Sequence, residues 1–177
     1  RQVAVITGGA SGIGRATAKI LARRGARVLV GDHNCSTEND SAFQELGIAQ
    51  VECDVRRESD LRELIDRADA INGSVSILVN CAGINMAGQI PDITEDQWDA
   101  CLDTNLKGAF FASKYAIRSM CRGGGGAIVN ISSNAGVTPR ADDPVYCISK
   151  AALIALTRSL ALCHGRDKIR VNAVCPG

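Results

Sequence analysis

Short apolar runs alternate along this chain with longer segments whose apolar residues recur every three or four positions. Residues 2–6, Gln-Val-Ala-Val-Ile, read as a short buried strand. From about Ile13 to Arg24, the residues Ile13, Ala16, Ala18, Ile20 and Leu21 supply the apolar side of a helix that Gly25 terminates. Ala26 to Gly31 is a second strand and closes a strand–helix–strand unit. A polar stretch, Asn34 to Asp40, leads into a short helix ending near Gly47, and Ile48 to Cys53 is a third strand. Arg57 to Ile71 is a charged amphipathic helix and Val75 to Val79 a fourth strand. Residues 84–93 form a loop. Thr94-Glu95-Asp96-Gln97 then has the pattern of a capped helix start, and the helix runs to about Arg122 before the glycines 123–126. Residues 127–131 form a fifth strand. Val137 to Pro144 is a loop, the next helix continues to about His164, and Ile169 to Val174 is a sixth strand. Strands alternating with helices predict a doubly wound α/β fold.

Composition narrows the function without naming it. At 177 residues the chain predicts one domain over 1–177, large enough for a real core. Apolar residues at 46% and charged residues at 22% are ordinary globular usage. A net charge of +1 argues against a nucleic-acid or membrane-surface partner. No apolar run approaches the ~18 residues of a bilayer span. Residues 1–30 enter the strand–helix–strand pattern with no leader. The eight cysteines are scattered, with no CxxC pair and no histidine cluster. They predict neither a disulfide framework nor a metal site, and suit a reducing cytoplasm. Cys53 and Cys81, beside apolar runs, read as buried thiols.

Two stretches carry chemistry. Thr7-Gly8-Gly9-Ala10-Ser11-Gly12-Ile13-Gly14 lies where the first strand gives way to the first helix. Glycines there allow a tight turn and let a pyrophosphate approach backbone N–H groups at the positive end of the helix. Asp32 ends the second strand, where an acid meets the adenosine ribose hydroxyls. The second stretch is Tyr146-Cys147-Ile148-Ser149-Lys150, with Ser133 just after the fifth strand. Residues four apart share a helix face, so Lys150 stands beside the Tyr146 phenol. A phenol titrates near pH ~10 when unperturbed. An adjacent cation favours the phenolate and suits it to exchange a proton with an alcohol or carbonyl.

The glycine spacing is Thr-Gly-x-x-x-Gly-Ile-Gly rather than GxGxxG. With Tyr-x-x-x-Lys, the sequence resembles the short-chain dehydrogenase/reductase family along its whole length. The resemblance implies a three-layer Rossmann-like fold with parallel strand order 3-2-1-4-5-6. The family's seventh strand is missing, so the domain reads as truncated after Gly177. It implies a catalytic set of Asn105, Ser133, Tyr146 and Lys150. Tyr146 exchanges the proton, Lys150 supports the phenolate and holds the nicotinamide ribose, Ser133 polarises the substrate oxygen, and Asn105 opens its helix and anchors a relay water. It implies cofactor contacts from Gly8, Ser11, Gly12, Ile13, Gly14, Asp32, Asp54, Val55, Asn80, Ala82, Gly83, Tyr146, Lys150, Pro176 and Gly177. Asp54 can equally cap the next helix. Asn80-Cys81-Ala82-Gly83 departs from the family's Asn-Asn-Ala-Gly at Cys81, which puts one polar contact in question. Candidate substrate positions are Ile84, Met86, Asn134 and Arg140.

The activity implied is hydride transfer between a nicotinamide cofactor and a secondary alcohol or ketone. NAD is preferred over NADP because Asp32 repels a 2′-phosphate, although Arg15 and His33 stand nearby as cations. The alternatives are an NADPH-dependent ketoreductase of the acyl-carrier type and a nucleotide sensor without turnover. The helices around 95–122 and 143–164 are expected to build a homodimer or homotetramer.

Overall fold

A computed structural model describes residues 2–34 and 41–177. Six parallel strands form one sheet: β1 (Val3–Thr7), β2 (Arg27–Asp32), β3 (Ala49–Glu52), β4 (Ile77–Asn80), β5 (Gly126–Ile131) and β6 (Ile169–Val174). Their order is β3-β2-β1-β4-β5-β6, as the resemblance implies. The helices are α1 (Gly12–Arg23), α2 (Ser41–Glu45), α3 (Glu58–Asn72), α4 (Glu95–Leu102), α5 (Gly108–Gly123) and α6 (Pro144–His164). Element ends fall within a residue or two of the sequence reading. Residues 35–40 of the expected polar stretch lie outside the described residues.

Alternation along each strand builds two cores. Val3 and Val5 of β1 face α3 and α5, where Leu61, Leu64, Ala112, Ala116 and Met120 complete a buried cluster. Ala4 and Ile6, on the opposite face, meet Ala18 of α1 and Phe43 of α2. A side chain such as Leu64, wholly removed from water, contributes roughly 2 kcal/mol. This two-sided burial explains why β1 reads as an unbroken apolar run.

Register aligns the carboxyl ends of the central strands. Thr7 pairs with Gly31 on one side and Asn80 on the other, and Asn80 pairs with Asn130. The chain reverses direction across the sheet between β1 and β4, and a crevice opens there.

The long helix expected from Thr94 is three segments. Thr94 forms the predicted capping box, its Oγ1 accepting from Gln97 N and the Gln97 Oε1 accepting from Thr94 N. Between α4 and α5, residues Asp103–Lys107 adopt a single π turn, with Gly108 N–H reaching Asp103 O. Such a turn inserts one extra residue into a helix and favours functional positions.

One expectation about membranes needs correction. The stretch Pro144–Asp167 is a helix long and apolar enough, by length and composition alone, to cross a bilayer. Here α6 packs beside β6 and carries the buried Lys150, whose ammonium donates to a strand carbonyl. A third of its most apolar stretch is fully buried, and much of the rest is partly covered.

Candidate active site

The glycine turn is shaped by contacts as much as by flexibility. Gly8 has φ +66, and a Cβ there would lie 2.6 Å from the Ala82 backbone. The turn is fastened from the end of β2: Asp32 Oδ2 accepts from Ala10 N at 2.9 Å, and Oδ1 accepts from Asn34 N at 3.0 Å. The Ser11 side chain makes no cap on α1. The first turn of the helix therefore presents its backbone to the cleft at Ser11, Gly12 and Ile13.

At the other end, β5 and α6 clamp each other. Lys150 Nζ donates to Ile131 O at 2.9 Å, and Ser132 Oγ donates to Lys150 O at 2.8 Å. Gly136 allows the approach, since a Cβ there would sit 2.7 Å from the Lys150 backbone. The clamp uses Ser132 structurally and leaves Ser133 on the cleft wall with Tyr146. Ser133 Oγ accepts from Ala135 N and donates to Asn134 Oδ1. Lys150 Nζ lies 5.6 Å from the centre of the Tyr146 ring. Burial pushes the Lys150 ammonium below the usual lysine range, opposed by the nearby Cys81 and Cys101 thiols.

Asn105 sits at the middle of the π turn and is buried. Its Oδ1 accepts from Ile84 N at 2.8 Å, while Nδ2 donates to Ile84 O at 2.9 Å and Ser149 Oγ at 3.0 Å. The side chain thus pins the loop after β4 to α6. A Cβ on Gly83 would stand 3.2 Å from Asn105 Oδ1 and 3.3 Å from Lys150 Nζ, so glycine keeps the space between them clear.

The two ends form one cleft. The adenosine-side cavity, about 400 Å³, is lined by Asp32, His33, Asp54, Val55, Arg56, Ala82 and Thr104 among others. It shares Gly8, Ser11, Cys81, Gly83 and Ile84 with the cavity around Ser133, Tyr146, Lys150, Pro176 and Gly177. Pro176 is held there because its carbonyl accepts from Asn134 N.

Five residues are placed differently from the sequence reading. Asn80 lines neither cavity. Its Nδ2 donates to Asn130 Oδ1 at 2.8 Å, and the buried Oδ1 has no partner among the described residues. The Asn80 side chain therefore ties β4 to β5. Asp54 does not cap α3, whose N-cap is Arg57. It is instead gripped by Arg56, whose guanidinium and backbone hydrogen bonds hold the carboxyl down at about 2. Cys81 lines both cavities rather than lying buried, and partial burial raises its thiol pKa. Met86 is absent from the lining, whereas Ile84, Asn134 and Arg140 are present. Gly14 also lies behind the wall, packed on the Gly8 carbonyl. Sequence reasoning missed Arg56; the signal available was an arginine two residues after an acid at a strand end, the spacing of an Asx turn.

A glycine turn at a helix start, an acid closing β2, and a Ser–Tyr–Lys wall at the carboxyl end of β5 and the amino end of α6 make one constellation. The family model of the short chain dehydrogenases matches residues 2–177. The chain belongs to this family. An oxidoreductase of Thermotoga maritima is 41% identical, with 99% of this chain aligned to 71% of that protein. A cis-4-hydroxycyclohexanecarboxylate dehydrogenase of Sinomonas cyclohexanicum is 40% identical over 99% of this chain and 72% of its own length. The solved structure of a short-chain type dehydrogenase/reductase from Mycobacterium ulcerans superposes with a TM-score of 0.94. It is 31% identical and covers 99% of this chain and 67% of that one. The protein is therefore an oxidoreductase of a family that uses nicotinamide cofactors.

Proposed function

We propose that the protein interconverts a secondary alcohol and a ketone using NAD(H), with Tyr146 as proton donor and acceptor. The observation that carries this reading is the joint presence of Ser133, Tyr146 and Lys150 on the wall of a cleft continuous with the glycine turn. One relative is, by its name, a dehydrogenase of cis-4-hydroxycyclohexanecarboxylate, which carries a ring hydroxyl.

The cleft fits a dinucleotide. The uncapped start of α1 and the open space beside Gly12 suit a pyrophosphate. Asp32, at the end of β2 on the cavity wall, would meet the ribose hydroxyls. Asp54 and Val55 would border the adenine, and Ala82, Gly83, Pro176 and Gly177 the nicotinamide half. When bound, the nicotinamide accepts or gives the hydride. The chain does the rest. Ser133 holds the substrate oxygen, Tyr146 takes its proton in oxidation and returns it in reduction, and the Lys150 cation steadies the charge on the phenol oxygen. The clear space between Asn105 and Lys150, with polar atoms on both sides, suits one relay water. Incubation with a panel of alcohols and ketones, followed by nicotinamide absorbance, tests the reading. No hydride transfer with any of them, despite bound cofactor, would favour the sensor alternative.

Cofactor choice follows from Asp32. A 2′-phosphate would meet its carboxylate at close range, and like charges repel. His33 lines the adenosine cavity but Arg15 does not. NADH should bind at least about tenfold tighter than NADPH, roughly 1.4 kcal/mol. In Asp32→Ala the gap should close. Part of the loss should be common to both cofactors, because Ala10 N–H loses its acceptor. Fluorescence titration of both reduced cofactors checks this, and a tighter NADPH complex in the unmodified protein would contradict it.

We further propose self-association in the cytoplasm. Trp98, Phe110, Ile148 and Leu162 leave large apolar surface exposed on α4, α5 and α6. The seven cysteines among the described residues are free thiols, which suits a reducing compartment. Sedimentation should show a dimer or tetramer, and Phe110→Glu should shift it toward monomer. A monomer at all concentrations would refute the association.

A further inference from the structure

The substrate end of the cleft holds a charge that neither the proton chemistry nor the cofactor uses. Among the described residues lining that end, the charged side chains are Lys150 and Arg140, with no Asp or Glu. Lys150 is buried and committed to Ile131 O. Arg140, on the loop before α6, has half of its side chain exposed, and its guanidinium carbon lies 5.5 Å from the centre of the Tyr146 ring.

Its position is built rather than incidental. Arg140 Nη2 meets Asp143 Oδ2 at 2.9 Å, and its backbone N–H donates to Cys147 Sγ at 3.3 Å. Asp143 is itself buried, and its Oδ1 accepts the Cys147 thiol at 3.4 Å. The compensating carboxylate is thus buried beneath α6's first turn and absent from the cleft lining. A guanidinium offers five N–H donors in a planar fork, and Asp143 takes one nitrogen of it. The remaining donors stay available at a wall shared with Ser133 and Tyr146. A neutral alcohol would leave them to water. A carboxylate matches the fork in shape and charge, and such charge-assisted pairs are the stronger hydrogen bonds.

We propose that Arg140 selects substrates bearing a carboxylate apart from the reacting carbon: a hydroxy acid in oxidation and an oxo acid in reduction. The proposal deepens the Tyr146 reading and rests on it. Arg140 is a specificity residue and takes no part in proton transfer.

The test compares hydroxy acids with their primary amides, which keep the shape and drop the charge. The acids should be favoured in kcat/KM by about tenfold or more, the scale of a hydrogen bond to a charged group, with the difference in KM. Arg140→Gln should bring the ratio close to one through KM, and Arg140→Lys should restore part of it. A purely structural Arg140 would lower acid and amide alike. A second arm needs no turnover. Calorimetry on the protein with NADH should show benzoate binding about tenfold tighter than benzamide, and Arg140→Gln should remove that preference. Should Arg140→Gln fail to fold, the wild-type preferences and Arg140→Lys decide. Equal turnover of acid and amide with equal binding of benzoate and benzamide overturns the proposal and leaves the oxidoreductase reading intact. Absence of any turnover defeats that reading instead, and the benzoate arm then decides the role of Arg140.

Discussion

Tyr146→Phe should lower turnover by roughly 10²-fold or more, the usual scale for a lost acid–base group, while cofactor binding stays nearly unchanged. The substitution keeps the ring. The contacts that the ring makes with the Arg140 guanidinium and the Lys150 ammonium therefore survive. Only the hydroxyl is lost, and with it the group that gives or takes the substrate proton. Stability should hardly move, because Tyr146 is only partly buried and its hydroxyl makes no hydrogen bond among those described. Lys150→Ala is the contrasting case. It breaks the clamp to Ile131 O and empties a buried site, so cofactor binding, turnover and melting temperature should all fall. Single-turnover rates, cofactor titrations and thermal melts on the two variants check the pair of expectations. Wild-type turnover in Tyr146→Phe would mean that another group moves the proton.

Much of this arrangement was legible in the sequence because the signals are local. Two-sided burial gives β1 and β2 unbroken apolar runs, and helical periodicity gives α1 and α3. The glycine turn is marked by residues whose spacing only a tight strand–helix junction needs. What stayed hidden depends on which way a side chain turns at a strand or helix end. Asn80 and Cys81 are neighbours on one strand end, so they face opposite ways. The asparagine enters the interior with Asn130, and the cysteine faces the cleft. Composition cannot reveal that choice. For Asn105 the residues alone mark only a helix; the resemblance implies a local opening, which takes the form of a π turn, and the bonds to Ile84 arise from packing. Spacing to Tyr146 selects Ser133 over Ser132, and the Ser132 bond to Lys150 O supplies the physical reason.

Gly14→Ala should destabilise the fold and weaken cofactor binding together, and should cost the fold more than Gly12→Ala does. The two glycines serve different purposes. Gly12 has φ +49 and nothing within 4 Å of the place a Cβ would occupy. An alanine there costs the fold a left-handed backbone, about 1 kcal/mol, with no collision within the protein. At Gly14 the objection is contact. A Cβ would lie 2.1 Å from Gly8 O, 2.9 Å from Gly8 C and 3.0 Å from Gly9 Cα. All three are backbone atoms of the turn, so no side chain can swing aside. Either α1 retreats from the turn or the turn itself opens. Retreat pulls Ala18 from its place against Ala4 and Ile6, loosening one face of the sheet. Opening strains the Ala10 N–H bond to Asp32 and shifts Gly8 against Ala82. Overpacking of this kind costs roughly 1–3 kcal/mol. Either movement displaces the helix start from the cleft wall, where the dinucleotide phosphates are proposed to sit, so cofactor affinity should fall by about tenfold or more. Denaturant melts and NADH titrations of the two variants measure both effects. An unaltered dissociation constant in Gly14→Ala would show that the position of α1 is not what holds the cofactor.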